Sequence, residues 1–259
     1  MRWSSRTAAG LVAVGLAVVL AGCGTPVPSA PAHATRAPAI RTTAPSPAPS
    51  PTPSVSSSFD RSAQSIDAPT SLWVIVDKLR PLRPASYVPP DLTAVDVPHT
   101  NPPVLRKAAA RAVELMFAVA GRAGVHLASN STYRPYSDQR AIYDGDISRI
   151  GVAGADRLTA RPGYSEHQTG LAIDIGTASG RCDLDPCFAR TPEGRWLAAS
   201  AWRYGFVLRY PAGQEQVTGI EFEPWHYRYV GGPLAAAYHA EGAPTLESFF
   251  GLPPSPSYR

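Results

Sequence analysis

The residues of this chain best suited to breaking a bond fall in two short segments. The first is Ser165-Glu166-His167-Gln168-Thr169-Gly170-Leu171-Ala172-Ile173-Asp174; the second, about fifty residues later, is Glu223-Pro224-Trp225-His226. Together they hold two imidazoles, an aspartate and a glutamate. Three such donors can bind one zinc ion and leave a fourth position open for water, while the remaining carboxylate takes the water's proton. His167, Asp174 and His226 are therefore the expected ligands of one Zn2+, and Glu223 the expected general base.

Spacing limits how the backbone can bring them together. His167 and Asp174 are seven apart, an odd offset that puts them on opposite faces of a straight strand. Thr169-Gly170 and the pair Ile173/Ile175 argue against a helix. A turn at Gln168-Thr169-Gly170, followed by a strand over 171–175, places both side chains in one cleft, with Gly170 supplying the backbone freedom. Glu223 and His226 are three apart, and Pro224 excludes a helix interior, so Glu223 belongs on a bend and His226 at the mouth of a strand over 225–230. Arg134, in Ser131-Thr132-Tyr133-Arg134-Pro135, stands where the proline forces an extended exit from a strand. Its guanidinium is always charged and suits an oxyanion. Ser165 and Gln139 are candidates for hydrogen bonds to a substrate, whereas His33, His99, His126 and His239 are expected to be structural or exposed.

The elements that must position these groups are legible in outline. Residues 71–78 are short and β-branched, a strand or extended segment, and the proline-rich stretch 81–103 is not expected to be regular. Leu105, Ala108, Ala109, Ala112, Leu115, Met116 and Val119 recur with helical period, giving one buried stripe ended by Gly121 and Gly124. A strand follows over 125–133, and Ser137 could cap a short helix over 138–143. A helix over 193–204 stops at Gly205, and a strand over 206–210 and a helix over 233–239 complete the set. Strands and helices mix without regular βαβ spacing. The expected class is α+β, a compact single domain (66–253) with a small antiparallel sheet flanked by helices, followed by a flexible tail over 254–259.

The N-terminal residues have a different character. Arg2 and Arg6 precede an apolar run over 11–20 that is too short for a bilayer, which needs roughly 20 residues. It ends in Leu20-Ala21-Gly22-Cys23, which resembles a bacterial lipobox and implies a signal peptide over 1–22, lipidation of Cys23, and export to the outer face of the cytoplasmic membrane, facing the cell wall. Nine prolines between Pro26 and Pro53, among Ala, Ser and Thr, make residues 23–65 an expected disordered tether. The net charge of +4 is spread thinly, with no basic block to suggest nucleic acid, and a monomer is expected. Cys182 and Cys187, five apart in an exported chain, most simply close a disulfide loop.

The pattern Ser165-x-His167-x6-Asp174, the Glu223-x-x-His226 within Pro-Trp-His-Tyr-Arg-Tyr-Val-Gly, and the Ser-x-Tyr-Arg-Pro around Arg134 resemble the VanY-type D-alanyl-D-alanine carboxypeptidases of the M15 zinc peptidases. Tyr204-Gly205-Phe206-Val207-Leu208-Arg209-Tyr210-Pro211 and Gly194-Arg195-Trp196-Leu197 extend the resemblance over about 72–234. It implies the fold shared by D,D-peptidases and hedgehog-type domains, and removal of the terminal D-alanine from peptidoglycan stem peptides. It also implies zinc on His167, Asp174 and His226, a base at Glu223 and oxyanion stabilisation by Arg134. A D,D-dipeptidase or cell-wall endopeptidase of the same fold is the alternative, though no acidic residue is clearly placed for a dipeptide's free amine. A peptidoglycan-binding lipoprotein without catalysis would not need Glu223.

Overall fold

The computed structural model describes residues 59–259. The expected signal peptide over 1–22, the lipidation site Cys23 and most of the tether lie outside the described residues. Two three-residue strands, β1 (Leu92–Ala94) and β2 (Val104–Arg106), pair antiparallel. The first lies inside the proline-rich stretch expected to be irregular. It fits because it occupies the gap between Pro90 and Pro98 and needs only one equally short partner. The helix α1 (Lys107–Arg122) follows and buries Ala109, Val113, Met116 and Ala120. Its buried stripe is rotated from the expected one, leaving Leu115 exposed, and Gly124 leaves the helix with φ +74°.

The site is carried by a four-stranded antiparallel sheet of β3 (Leu127–Ser131), β4 (Ala172–Thr177), β5 (Phe206–Leu208) and β6 (His226–Tyr229), in the order β3-β4-β6-β5. Alternation along a strand decides what each face does. On β4, Ile173 and Ile175 enter a core with Val113, Met116, Phe188, Leu197 and Tyr227, which sends Asp174 to the opposite face. Asp174 pairs directly with His226 across the β4–β6 ladder and with Ser131 across the β3–β4 ladder. The expected α+β class, with a small antiparallel sheet and flanking helices, is the one observed.

Between β3 and β4 runs α2 (Tyr136–Leu158), interrupted at Gly151, where φ is +71°. It is far longer than the expected helix over 138–143, and Pro135 rather than Ser137 stands at its start. It carries i,i+4 and i,i+3 ion pairs, Arg140–Asp144 and Arg149–Asp146, and little apolar periodicity, so pattern reading stops early. The helix α3 (Pro192–Ser200) and a 3-10 turn over Ala201–Tyr204 match the expected helix and end at Gly205, φ +84°. The last helices are α4 (Glu215–Thr218), α5 (Gly232–Glu241) and α6 (Leu246–Phe249).

Residues 71–78 join no sheet: the chain turns at 71–73, and Asp77 makes only an isolated bridge to Arg80. The carbonyls of Leu72 and Val74 accept hydrogen bonds from the buried guanidinium of Arg228 (3.1 and 2.7 Å), and that of Val76 accepts from Arg209 at 3.5 Å. Two arginines thus stand where a neighbouring strand would. Val74 and Val76 face the main core, while Trp73 and Ile75 face a second cluster with Val207, Leu234 and Phe249. Ordered packing extends beyond both expected boundaries. Phe59 packs at a tilt with ring centroids 5.3 Å from Trp73 and 5.8 Å from Phe249. The tail expected to be flexible is docked: Ser255 is buried and its N–H donates to Val217 O (2.8 Å), and the Tyr258 hydroxyl accepts from Arg161 N (2.8 Å).

Gly194, in the first turn of α3, is the tightest close approach in the helical layer. A Cβ there would lie 2.1 Å from the carbonyl oxygen of Phe188, which already accepts from Thr191 N and Thr191 Oγ1. Gly194→Ala should destabilise the domain by roughly 1–3 kcal/mol, the usual cost of overpacking, seen as a lower urea midpoint at unchanged slope. A midpoint equal to that of the unaltered protein would show that the turn over 188–194 gives way freely.

Candidate metal centre

His167 sits in a 3-10 turn over Glu166–Thr169 that Gly170 closes in the left-handed conformation, φ +67°. No other residue fits there: a Cβ would come within 2.9 Å of Leu92 and 3.0 Å of Arg106. The turn resolves the odd spacing as expected, delivering His167 to the face of the sheet that holds Asp174. The bend at Glu223 is closed by His226 N donating to Glu223 O (3.1 Å), and β6 begins at His226.

The three expected ligands converge. His167 Nε2 is 3.2 Å from Asp174 Oδ2, and His226 Nδ1 is 3.1 Å from Asp174 Oδ1. The rings stand nearly perpendicular, with centroids 5.0 Å apart. One donor atom from each residue lies within 4.8 Å of the others. Donors about 2.0–2.1 Å from a tetrahedral zinc are separated by roughly 3.3 Å, close to the two imidazole–carboxylate distances. The outer atoms fix both tautomers. His167 Nδ1 donates to Thr132 O (2.7 Å), leaving Nε2 a free lone pair. His226 Nε2 donates to Glu166 Oε2 (3.4 Å), leaving Nδ1 to face Asp174. Asp174 Oδ1 is buried yet has no well-aligned hydrogen bond. A buried carboxylate with one imidazole lone pair facing each oxygen is the donor arrangement of a cation site, and the hydrogen bonds on the far nitrogens match those of metal-bound histidines.

Burial works to raise the Asp174 carboxyl, but the two imidazoles outweigh it and hold the group well below the ordinary carboxylate range. Burial lowers His167. Burial also opposes charge on His226, yet the adjoining Asp174 and Glu166 carboxylates win and lift it to about 9. A divalent cation on Nδ1 competes for the same lone pair as that proton. Glu223 is not among the close donors: its Oε2 is 3.6 Å from His226 Nδ1, and burial pushes its carboxyl up to about 8.

Arg134, Ser165, Glu223 and the three ligands line one cleft of about 230 Å³. Arg134 is aimed by Gln139 Oε1 and Ser131 Oγ, each accepting at 2.9 Å. Gln139 also lines the cleft, but its expected role as a substrate contact is corrected. Its Oε1 holds Arg134 and its Nε2 donates to Ala160 O (2.7 Å), so the buried amide is occupied by the protein. The expected disulfide between Cys182 and Cys187 is present, with Cα atoms 5.5 Å apart.

Sequence spacing missed what stands behind His226. Glu166 Oε1 accepts from Arg209 Nε (2.9 Å) and Arg228 Nη1 (2.8 Å), and Arg209 also pairs with Glu247 of α6 (2.5 Å). All four side chains are fully buried. Two cations balance two anions. The signal was available in Arg209 and Arg228, each set in an apolar strand-like run where an arginine must find a partner.

Comparison with known proteins now decides the family. The family model described as VanY: D-alanyl-D-alanine carboxypeptidase matches residues 103–232. The chain belongs to this family. It is 40% identical over 192 residues to the putative carboxypeptidase YodJ of Bacillus subtilis (strain 168), covering 72% of this chain and 70% of that protein. Among solved structures it resembles the LdcB LD-carboxypeptidase, with a TM-score of 0.67 and 39% identity, covering 71% of this chain and 87% of that one. It also resembles a mutant of the vancomycin resistance D,D-pentapeptidase VanY in complex with Zn(II), with a TM-score of 0.58 and 30% identity, covering 69% and 98%. The VanY family fold accounts for the sheet that brings the ligands together.

Glu166→Gln removes one buried anion and leaves Arg228 without a carboxylate partner, while Arg209 keeps only Glu247. Breaking a buried pair from one side costs about 3–5 kcal/mol, so the urea midpoint should fall steeply. A loss below about 1 kcal/mol would show the cluster to be solvated and unimportant to stability.

Proposed function

We propose that this protein is a zinc D,D-carboxypeptidase that removes the terminal D-alanine from peptidoglycan stem peptides. The observation that carries the reading is the convergence of His167, Asp174 and His226 in a cleft that also presents Glu223 and Arg134. Membership of the VanY family supports it, as does the Zn(II) complex of a relative.

His167 Nε2, His226 Nδ1 and an Asp174 oxygen would hold the ion. When bound, zinc makes a water acidic and polarises the scissile carbonyl. Glu223 accepts the proton of the attacking water and passes it to the departing amine nitrogen as the C–N bond breaks. Arg134, held by Gln139 and Ser131, meets the charge that develops on the carbonyl oxygen. Ser165 offers a hydroxyl to the bound peptide. The sequence of residues 1–23 supports export and a lipid anchor on Cys23, which would keep the domain beside its cell-wall substrate.

The similarity to an LD-carboxypeptidase favours one second reading, removal of D-alanine from a stem tetrapeptide, where the residue before it has the L configuration. Purified protein should be given pentapeptide, tetrapeptide and free D-Ala-D-Ala, each with and without a chelator. D-alanine from the pentapeptide that disappears with chelator and returns with zinc supports the main reading. Release from the tetrapeptide alone supports the second. Cleavage of free D-Ala-D-Ala would indicate a dipeptidase, and binding without cleavage a non-catalytic module.

The division of roles is tested by two variants. Glu223→Ala should keep one zinc per chain while turnover falls at least ~10²-fold, the scale of losing a general base. His226→Ala should lose the metal. Zinc lost from the first and retained by the second would reverse the assignment.

A further inference from the structure

The rim of the cleft carries apolar side chains that folding alone does not explain. Seven large hydrophobic residues are exposed among the described residues, and three of them, Ile142, Leu158 and Leu184, line this one cleft. They come from the first half of α2, from its end, and from the loop after β4. Leu184 is the most telling. It is 52% exposed, so it gains little from burial, and its φ of +52° is left-handed. A side chain there is strained relative to the right-handed region, and glycine or asparagine is the usual occupant.

The turn bearing Leu184 is nonetheless fixed on several sides. The Cys182–Cys187 disulfide closes a ring around it. Asp183 Oδ1 accepts from Thr177 N at the end of β4 (2.9 Å), and Asp185 Oδ1 accepts from Cys187 N (2.7 Å). Phe188 anchors the far side in the core. Gly176 makes room, since a Cβ there would lie 2.2 Å from Asp183 Oδ1. A costly conformation held this firmly, with a leucine left open to solvent at a catalytic cleft, is better explained by a ligand than by stability.

We infer that Leu184 is a specificity-determining residue. With Ile142 and Leu158 it forms an apolar collar that receives an aliphatic side chain on the acyl side of the scissile bond. The inference rests on the carboxypeptidase reading. Such an enzyme releases the last residue of its substrate, so whatever part of the peptide passes the half-exposed rim belongs to the acyl portion. The disulfide ring holds the collar's third member in place.

The test measures D-alanine release by the full chain from acetyl-L-norleucyl-D-Ala-D-Ala and acetylglycyl-D-Ala-D-Ala, each supplied with and without its final D-alanine. The norleucyl peptide should be preferred in kcat/KM. In Leu184→Asn, where asparagine suits the left-handed turn, that preference should fall by about five- to tenfold, chiefly through KM, the low end for apolar pocket contacts because the rim stays partly open. The folding midpoint of this variant should be unchanged or higher. The double variant Cys182→Ser/Cys187→Ser should lose preference in the same direction. A preference kept in Leu184→Asn overturns the inference alone, and one kept in the double variant overturns the holding role of the ring. Silence of the unaltered protein on all four peptides overturns the carboxypeptidase reading and this inference with it.

Discussion

The structure hangs on a carboxylate with no access to water. Glu166 sits between Arg209 and Arg228 and reaches His226 with its other oxygen. Burial alone would neutralise such a group, but the two guanidiniums overcome it and hold the carboxyl far below its ordinary range. One ionised side chain therefore joins the turn that carries His167, the end of β5, the strand β6 and, through Glu247, the helix α6. The same arginines satisfy the carbonyls of Leu72, Val74 and Val76. Stability and the aim of a metal ligand are served by the same charges, which explains why so polar a cluster lies in the interior of a small domain.

The site's chemistry was legible in the sequence because it depends on residue type and on a few hard backbone rules. The odd interval from His167 to Asp174 demanded a turn, and Gly170 supplied it; Pro224 demanded a bend before His226, and the chain bends there. The cross-strand pairing of Asp174 with His226 was not legible, since register depends on contacts between segments fifty residues apart. Nor was the role of Gln139. Its type suits a substrate contact, and only the positions of Arg134 and Ala160 show that its amide is already taken.

The fold was read less completely where tertiary contacts override local pattern. Residues 71–78 have strand composition, yet arginine side chains rather than a ladder satisfy the carbonyls of Leu72, Val74 and Val76. The second half of α2 lacks an apolar stripe because it covers little of the core, so periodicity could not announce it. β1 escaped notice because prolines flank it on both sides, and three residues are too few to show alternation.

Tyr258 lies over the guanidinium of Arg161, 4.1 Å from ring centroid to carbon, and Arg161 grips Asp156 near the end of α2. Asp156 in turn accepts from Tyr143. Thr159 and Ala160, which stand between these contacts, form part of the cleft wall. Residues 254–259, expected to be a flexible tail, therefore work as a latch on that wall. An engineer trimming the domain at Pro253 would be loosening the catalytic groove from behind.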